Sequence, residues 1–263
     1  MLSRRVRHVP LATVAAAFAA VGACVPPPPA SAPAPTAAPA ANPTVPPAAP
    51  AVPASPPAAA PAPVVTPPDE APLASDAAAD SLLVDVARLD TTVRVDLRYA
   101  TRFNFTGAVL PGYEAPRALL RREAAAALAR VQERLRGEGL GLKIFDAYRP
   151  VRATDAMVEW TRRVRRDDLL KDGYIAERSR HNLGLAVDLT LVALATGREL
   201  RMGSAFDTFA ESARTANATG VVAENRQRLK RAMEAEGFTN LPEEWWHFSY
   251  QVPDPLRFDL VIR

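Results

Sequence analysis

The stretch "SRHNLGLAVDLTLV", residues 179–192, holds one of only three histidines in the 263-residue chain and closes on an alternating apolar run. A period of two puts Leu185, Val187 and Leu189 on one face of a strand and Ala186, Asp188 and Thr190 on the other. The first face suits a core. The second, small and polar, suits the floor of a pocket. His181 stands in the approach to this strand, and Gly184 supplies the backbone freedom that lets the imidazole lean over the floor. A histidine and a carboxylate converging in this way suit Zn2+, which takes imidazole nitrogen and carboxylate oxygen at ~2.0–2.2 Å.

A second histidine lies in "EEWWHFSY", residues 243–250, where strand alternation groups Trp245, His247 and Ser249 on one face. His181, Asp188 and His247 together would leave one tetrahedral position open, as catalytic zinc sites require. The spacing is equally compatible with two unrelated structural histidines and a capping acid. A hydrolase also needs a base, and both Glu243 and Glu244 precede His247. Strict alternation favours Glu243; Glu244 reaches the metal only if the chain bulges or turns before Trp245. Either acid also reads as a solvated loop charge. "FDAYRP" ends in Arg149 at the close of a predicted strand, where a guanidinium could stabilise an oxyanion or merely sit at the surface.

Strands are predicted in "LLVDVARL" (82–89), "TTVRVDLRYA" (91–100), "LGLKIFDAYRP" (140–150), "LGLAVDLTLV" (183–192) and "WWHFSY" (245–250), with a hairpin turn centred on Gly197. Helices are predicted from about Pro116 to the glycines after Leu135, from Ala153 to Val164, and from Val222 to Glu236 before Gly237. Leu120, Ala124, Leu128, Val131 and Leu135 form the apolar stripe of the first. Helices and strands mix without a βαβ rhythm, which implies an α+β domain, residues 82–263, with a mostly antiparallel sheet flanked by helices.

The remaining residues read differently. "MLSRRVRHVPLATVAAAFAAVGAC" has the basic start, apolar stretch and small-residue end of a signal peptide, residues 1–23. Cys24, the only cysteine, forbids an intramolecular disulfide, and "VGAC" resembles a lipobox in which Cys24 is lipidated. Residues 25–68 carry no charge and most of the 26 prolines, so 24–81 is expected to be a semi-rigid tether. Fully extended, residues 25–68 would reach on the order of 130 Å. Arg4, Arg5 and Arg7 account for the formal charge of +3, leaving the rest of the chain neutral and without the basic surface that nucleic acid requires. The expected location is therefore outside the cytoplasm, on a lipoprotein anchored to a membrane and facing the periplasm or cell wall.

"SRHNLGLAVD" and "EWWH", with "RYATRFNFTG", "DAYRP", "GYIAERSRH", "DLTL", "MGSAFD" and "EWWHFSY" in this order, resemble the zinc D,D-peptidases that include VanX-type D-alanyl-D-alanine dipeptidases. The resemblance spans Val84 to Arg263 and implies the Hedgehog/D,D-peptidase type of fold. It implies one zinc ion per chain on His181, Asp188 and His247, Glu244 as general base and Arg149 as the group facing the transition state. Asp207 would pair with the substrate ammonium, and Tyr99 and Ser179 would hold the dipeptide near its carboxylate. Arg180 departs from the small hydroxyl residue common in relatives, and would strengthen carboxylate binding or narrow the pocket. The implied substrate is D-Ala-D-Ala; a peptidoglycan D,D-carboxypeptidase or endopeptidase acting on wall fragments is the alternative.

Overall fold

The computed structural model describes residues 71–263; the expected signal peptide, Cys24 and the tether up to residue 70 lie outside the described residues. In chain order come α1 (Asp76–Leu82), β1 (Leu83–Asp85), α2 (Val86–Leu89), β2 (Arg94–Val95), β3 (Leu119–Arg121), α3 (Arg122–Arg136) and β4 (Leu140–Asp146). There follow α4 (Val151–Arg163), α5 (Asp168–Lys171), β5 (Ala186–Ala193), α6 (Gly220–Glu234), β6 (Thr239–Asn240) and β7 (His247–Ser249). Five strands make one sheet in the order β2-β4-β5-β7-β6, parallel only between β2 and β4, and β1 pairs separately with β3. The fold is α+β, and its main sheet is mostly antiparallel.

The apolar stripe of α3 is buried at Ala124, Leu128, Val131 and Leu135, and the helix lies against β4. Each such leucine contributes roughly 1.5–3 kcal/mol by leaving water. Leu120 belongs to β3 rather than to the helix, yet it is fully buried. β5 is the centre of the sheet and is buried on both faces, so the polar side with Asp188 and Thr190 lies under other chain segments rather than open to solvent. Its far end turns back at Gly197 (φ +67°), where Ala193 and Arg198 are hydrogen-bonded across the turn. Among the described residues no helix is long and apolar enough to cross a membrane.

Several elements differ from expectation for local reasons. The strand expected at 82–89 stops at Asp85, whose side chain caps α2 by accepting from the Ala87 amide. In 91–100 only Arg94 and Val95 pair; the chain then coils into a 3-10 turn at Arg98–Ala100 that carries Tyr99 inward. The folded part also begins before Leu82. Ala71 and Ala79 are buried, and Arg257 is hydrogen-bonded through its backbone and side chain to Pro72, Ala71 and Ala74.

Candidate metal centre and substrate cavity

Three strands bring side chains into one row. Asp188 on β5 is paired with His247 on β7 and, on its other side, with Asp146 on β4. Opposed residues in an antiparallel sheet project from the same face, and Asp188 Oδ1 lies 3.0 Å from His247 Nδ1. Asp146 joins the row because the register shifts between Ile144 and Asp146. The bulge leaves Phe145 to stack on Phe206, with ring centroids 5.0 Å apart, and gives its place in the row to the acid.

His181 arrives from a 3-10 turn, Arg180–Leu183, closed by a capping box: Ser179 Oγ accepts the His181 amide and Asn182 Oδ1 accepts the Ser179 amide. Asn182 Nδ2 donates to the Arg149 carbonyl and to Thr154 Oγ1, tying this turn to the end of β4. Gly184 ends the turn in the left-handed region (φ +63°), and a Cβ there would stand 2.5 Å from Leu83 Cδ2. His181 Nδ1 donates to the Ala147 carbonyl at 2.6 Å, which fixes the tautomer and turns the Nε2 lone pair inward. Nε2 then lies 3.3 Å from Asp188 Oδ2 and 3.2 Å from His247 Nδ1.

The segment before β7 is a turn, not a strand. The Glu244 amide donates to the Leu241 carbonyl and the His247 amide to the Glu244 carbonyl. Asn240 Nδ2 clamps the turn by donating to the carbonyls of Glu244 (3.1 Å) and His247 (3.0 Å). Glu244 Oε2 comes within 3.8 Å of His247 Nδ1, whereas Glu243 turns outward to Arg214. Strand alternation favoured Glu243 because it assumed pleated backbone where the chain folds back on itself.

Arg149 is buried. Its Nε and Nη2 donate to Asp146 Oδ2 at 3.0 and 2.8 Å, its guanidinium lies over the Tyr99 ring, and Nη2 is 4.0 Å from Asp188 Oδ2. Asp207 adopts φ +60°, uncommon for a residue with a Cβ, and accepts the Tyr99 hydroxyl at 2.9 Å. It caps no helix; the next turn, Glu211–Ala213, is capped at Ala210. Tyr99 stands with Asp207, and the Ser179 hydroxyl accepts the His181 amide in the turn that holds that histidine. All the same, Tyr99, Arg149, Ser179, Arg180, Asp207 and Glu244 line one cavity of about 270 Å³ with the two histidines and Asp188. That is slightly below the roughly 300–1,000 Å³ of drug-sized pockets and suits a small substrate. A larger hollow of about 510 Å³ near Arg88 and Arg117 contains none of these side chains, so chemistry rather than size identifies the site.

Charge is unbalanced in this cavity. Burial, with Asp188 adding to it, pushes the Glu244 carboxyl up to about 8 and holds that of Asp207 well above the usual range. Burial opposes ionisation of Asp188 too, but its two histidine neighbours hold its carboxyl below the ordinary value. The buried guanidinium of Arg149 is already engaged by Asp146. Extra positive charge would relieve the acids, and the donor set says which kind. His181, Asp188 and His247 each offer one ligand atom, all within 4.8 Å of one another. Two ring nitrogens and a carboxylate, one imidazole fixed from behind by a carbonyl, fit zinc with an open fourth position. Asp146, Asn182 and Asn240 were missed by sequence reasoning. Asp146 had a signal, an acid three residues before Arg149 at the end of an apolar strand; the two asparagines had none.

The peptidase M15 family, described as D-Ala-D-Ala dipeptidase, matches residues 79–256. A D-alanyl-D-alanine dipeptidase of Enterococcus faecium is 38% identical over 172 residues, covering 59% of this chain and 85% of that protein. Another, from Streptomyces coelicolor strain A3(2), is 36% identical over 194 residues, covering 67% and 96%. Among solved structures, the vancomycin-resistance D,D-dipeptidase VanXYg in complex with a D-Ala-D-Ala phosphinate analog is 18% identical, covering 64% of this chain and 66% of that one. The TM-score of that match is 0.35.

Proposed function

The chain belongs to the peptidase M15 family of D-Ala-D-Ala dipeptidases, and from that membership we propose that it hydrolyses free D-Ala-D-Ala outside the cytoplasm, with one zinc ion held by His181, Asp188 and His247. The reading is carried by the convergence of those three donors within 4.8 Å, with the Glu244 carboxylate beside them. Zinc bound there would polarise the scissile carbonyl and lower the pKa of a water at its open position.

The chain's own groups supply the remainder. Glu244 takes a proton from the attacking water and delivers it to the departing amine nitrogen. Its carboxylate lies 3.8 Å from His247 Nδ1, beside the open position where such a water would stand. Arg149, held by two hydrogen bonds to Asp146, stabilises the negative charge growing on the scissile oxygen. Asp207 pairs with the substrate ammonium, and the Tyr99 hydroxyl orients the Asp207 carboxylate by donating to it. An acylated amino terminus has no charge to offer, so a longer peptide would leave the Asp207 carboxylate with the Tyr99 hydroxyl but no cation. That asymmetry favours a dipeptidase over a carboxypeptidase. Export and lipidation at Cys24 are supported by the leader pattern ending in "VGAC", and they suit turnover of D-alanyl dipeptides released from peptidoglycan.

The test is to supply the purified protein with free D-Ala-D-Ala and with a muropeptide ending in the same pair, while measuring bound zinc. We expect stoichiometric zinc and cleavage of the dipeptide. Glu244→Ala is expected to lose about 10²–10⁴-fold in kcat with zinc retained, whereas Glu243→Ala stays close to wild type. Cleavage of the muropeptide alone would overturn the dipeptidase assignment.

A further inference from the structure

Arg178 and Arg180 both line the cavity, but Arg178 is exposed whereas Arg180 is partly buried. Arg180 Nη2 donates to the Tyr250 carbonyl at 2.7 Å, and its Nε is buried without a hydrogen-bond partner. Among the described residues its guanidinium forms no ion pair with an acid. Withdrawing a cation from water without an anionic partner is unfavourable. Arg149, the other buried guanidinium of the cavity, has Asp146. Of the two charges on a zwitterionic dipeptide, Asp207 answers the ammonium and the carboxylate is left over.

We infer that Arg180 binds the substrate's C-terminal carboxylate with the guanidinium hydrogens not used by Tyr250, making a free C-terminus a condition of productive binding. The inference rests on the cavity being a D,D-peptide site, and it holds for a dipeptide or a longer peptide alike. It also explains why the Ser179 hydroxyl can be committed to the His181 turn: the carboxylate has a stronger partner one residue on.

The experiment compares D-Ala-D-Ala with its C-terminal amide, and an N-acetylated D-Ala-D-Ala peptide with its amide, on the zinc-loaded wild type, Arg180→Met and Arg180→Lys. Wild type is expected to prefer the acid over the amide in kcat/KM. Arg180→Met should raise KM for the acid about 10- to 100-fold with kcat nearly unchanged, as loss of a charge-assisted hydrogen bond predicts, and bring the acid-to-amide ratio towards one. Arg180→Lys should recover part of the ratio. An unchanged ratio in Arg180→Met, with lowered thermal stability or not, would make Arg180 a strut between its turn and Tyr250 and overturn the inference. Should that variant fail to fold, a wild-type ratio near one, or Arg180→Lys equal to wild type, overturns it. Cleavage of the acetylated peptide alone would remove the dipeptidase reading yet still decide Arg180 from the second pair; cleavage of neither would remove both.

Discussion

Glu243 and Glu244 are the same side chain one peptide bond apart, and their surroundings separate them. Glu243 is partly exposed and pairs with Arg214, an arrangement worth about 0–1 kcal/mol. Glu244 is mostly buried beside His247, and that burial, with the Asp188 charge adding to it, pushes its carboxyl up from an ordinary value near 4.5 to about 8. In the metal-free protein the sign of the consequence is defined. Between those two pH values the unfolded chain ionises Glu244 while the folded chain keeps it protonated, so stability falls as pH rises through that window and levels off above about 8. Glu244→Gln removes this dependence. Thermal melts in chelator from pH 4 to pH 9 should show the variant gaining on wild type across the window; parallel curves would contradict the burial argument.

At the scale of elements, two short turns do the positioning that longer strands cannot. The turn at Arg180–Leu183 depends on Gly184, where both the left-handed backbone and the 2.5 Å approach to Leu83 Cδ2 exclude a side chain. Gly184→Ala is expected to cost about 2–5 kcal/mol, summing left-handed strain and overpacking, by chemical denaturation. The turn at 241–247 depends on Asn240, whose amide serves two carbonyls and whose Oδ1 accepts the Thr215 hydroxyl. Asn240→Ala should lose about 1–3 kcal/mol of stability for the groups left unsatisfied. Because the same turn aims Glu244, kcat should fall in step while zinc content is kept, and a variant with full kcat would show that the turn holds itself.

Across the whole molecule, the metal donors come from β5, β7 and the turn ahead of β5, so a bound ion would cross-link segments some sixty residues apart in the chain. Binding to the folded state alone stabilises it by about 4.1 kcal/mol at a free ligand concentration of a thousand times Kd. The melting temperature is therefore expected to drop in chelator and return on adding zinc. His247→Ala should abolish that response while leaving the chelated melting temperature within a few degrees of wild type. The N-terminal residues 71–82 belong to the same fold, since Ala71 and Ala79 are buried and Arg257 holds the backbone around Pro72.

The α+β class, the stripe of α3, the buried central strand β5 and the trio His181, Asp188 and His247 were legible in the sequence, because periodicity reports which face is dry and because histidine is scarce enough here for two to stand out. The order of its motifs carried the family. What a linear pattern could not report was where the backbone departs from regularity. The bulge that exchanges Phe145 for Asp146, the turn that selects Glu244 over Glu243, and the 3-10 coil that joins Tyr99 to Asp207 are each settled by hydrogen bonds between residues distant in the chain. Alternation assumes an unbroken pleat, and it fails where a side chain from another segment offers the backbone a better partner than the neighbouring strand.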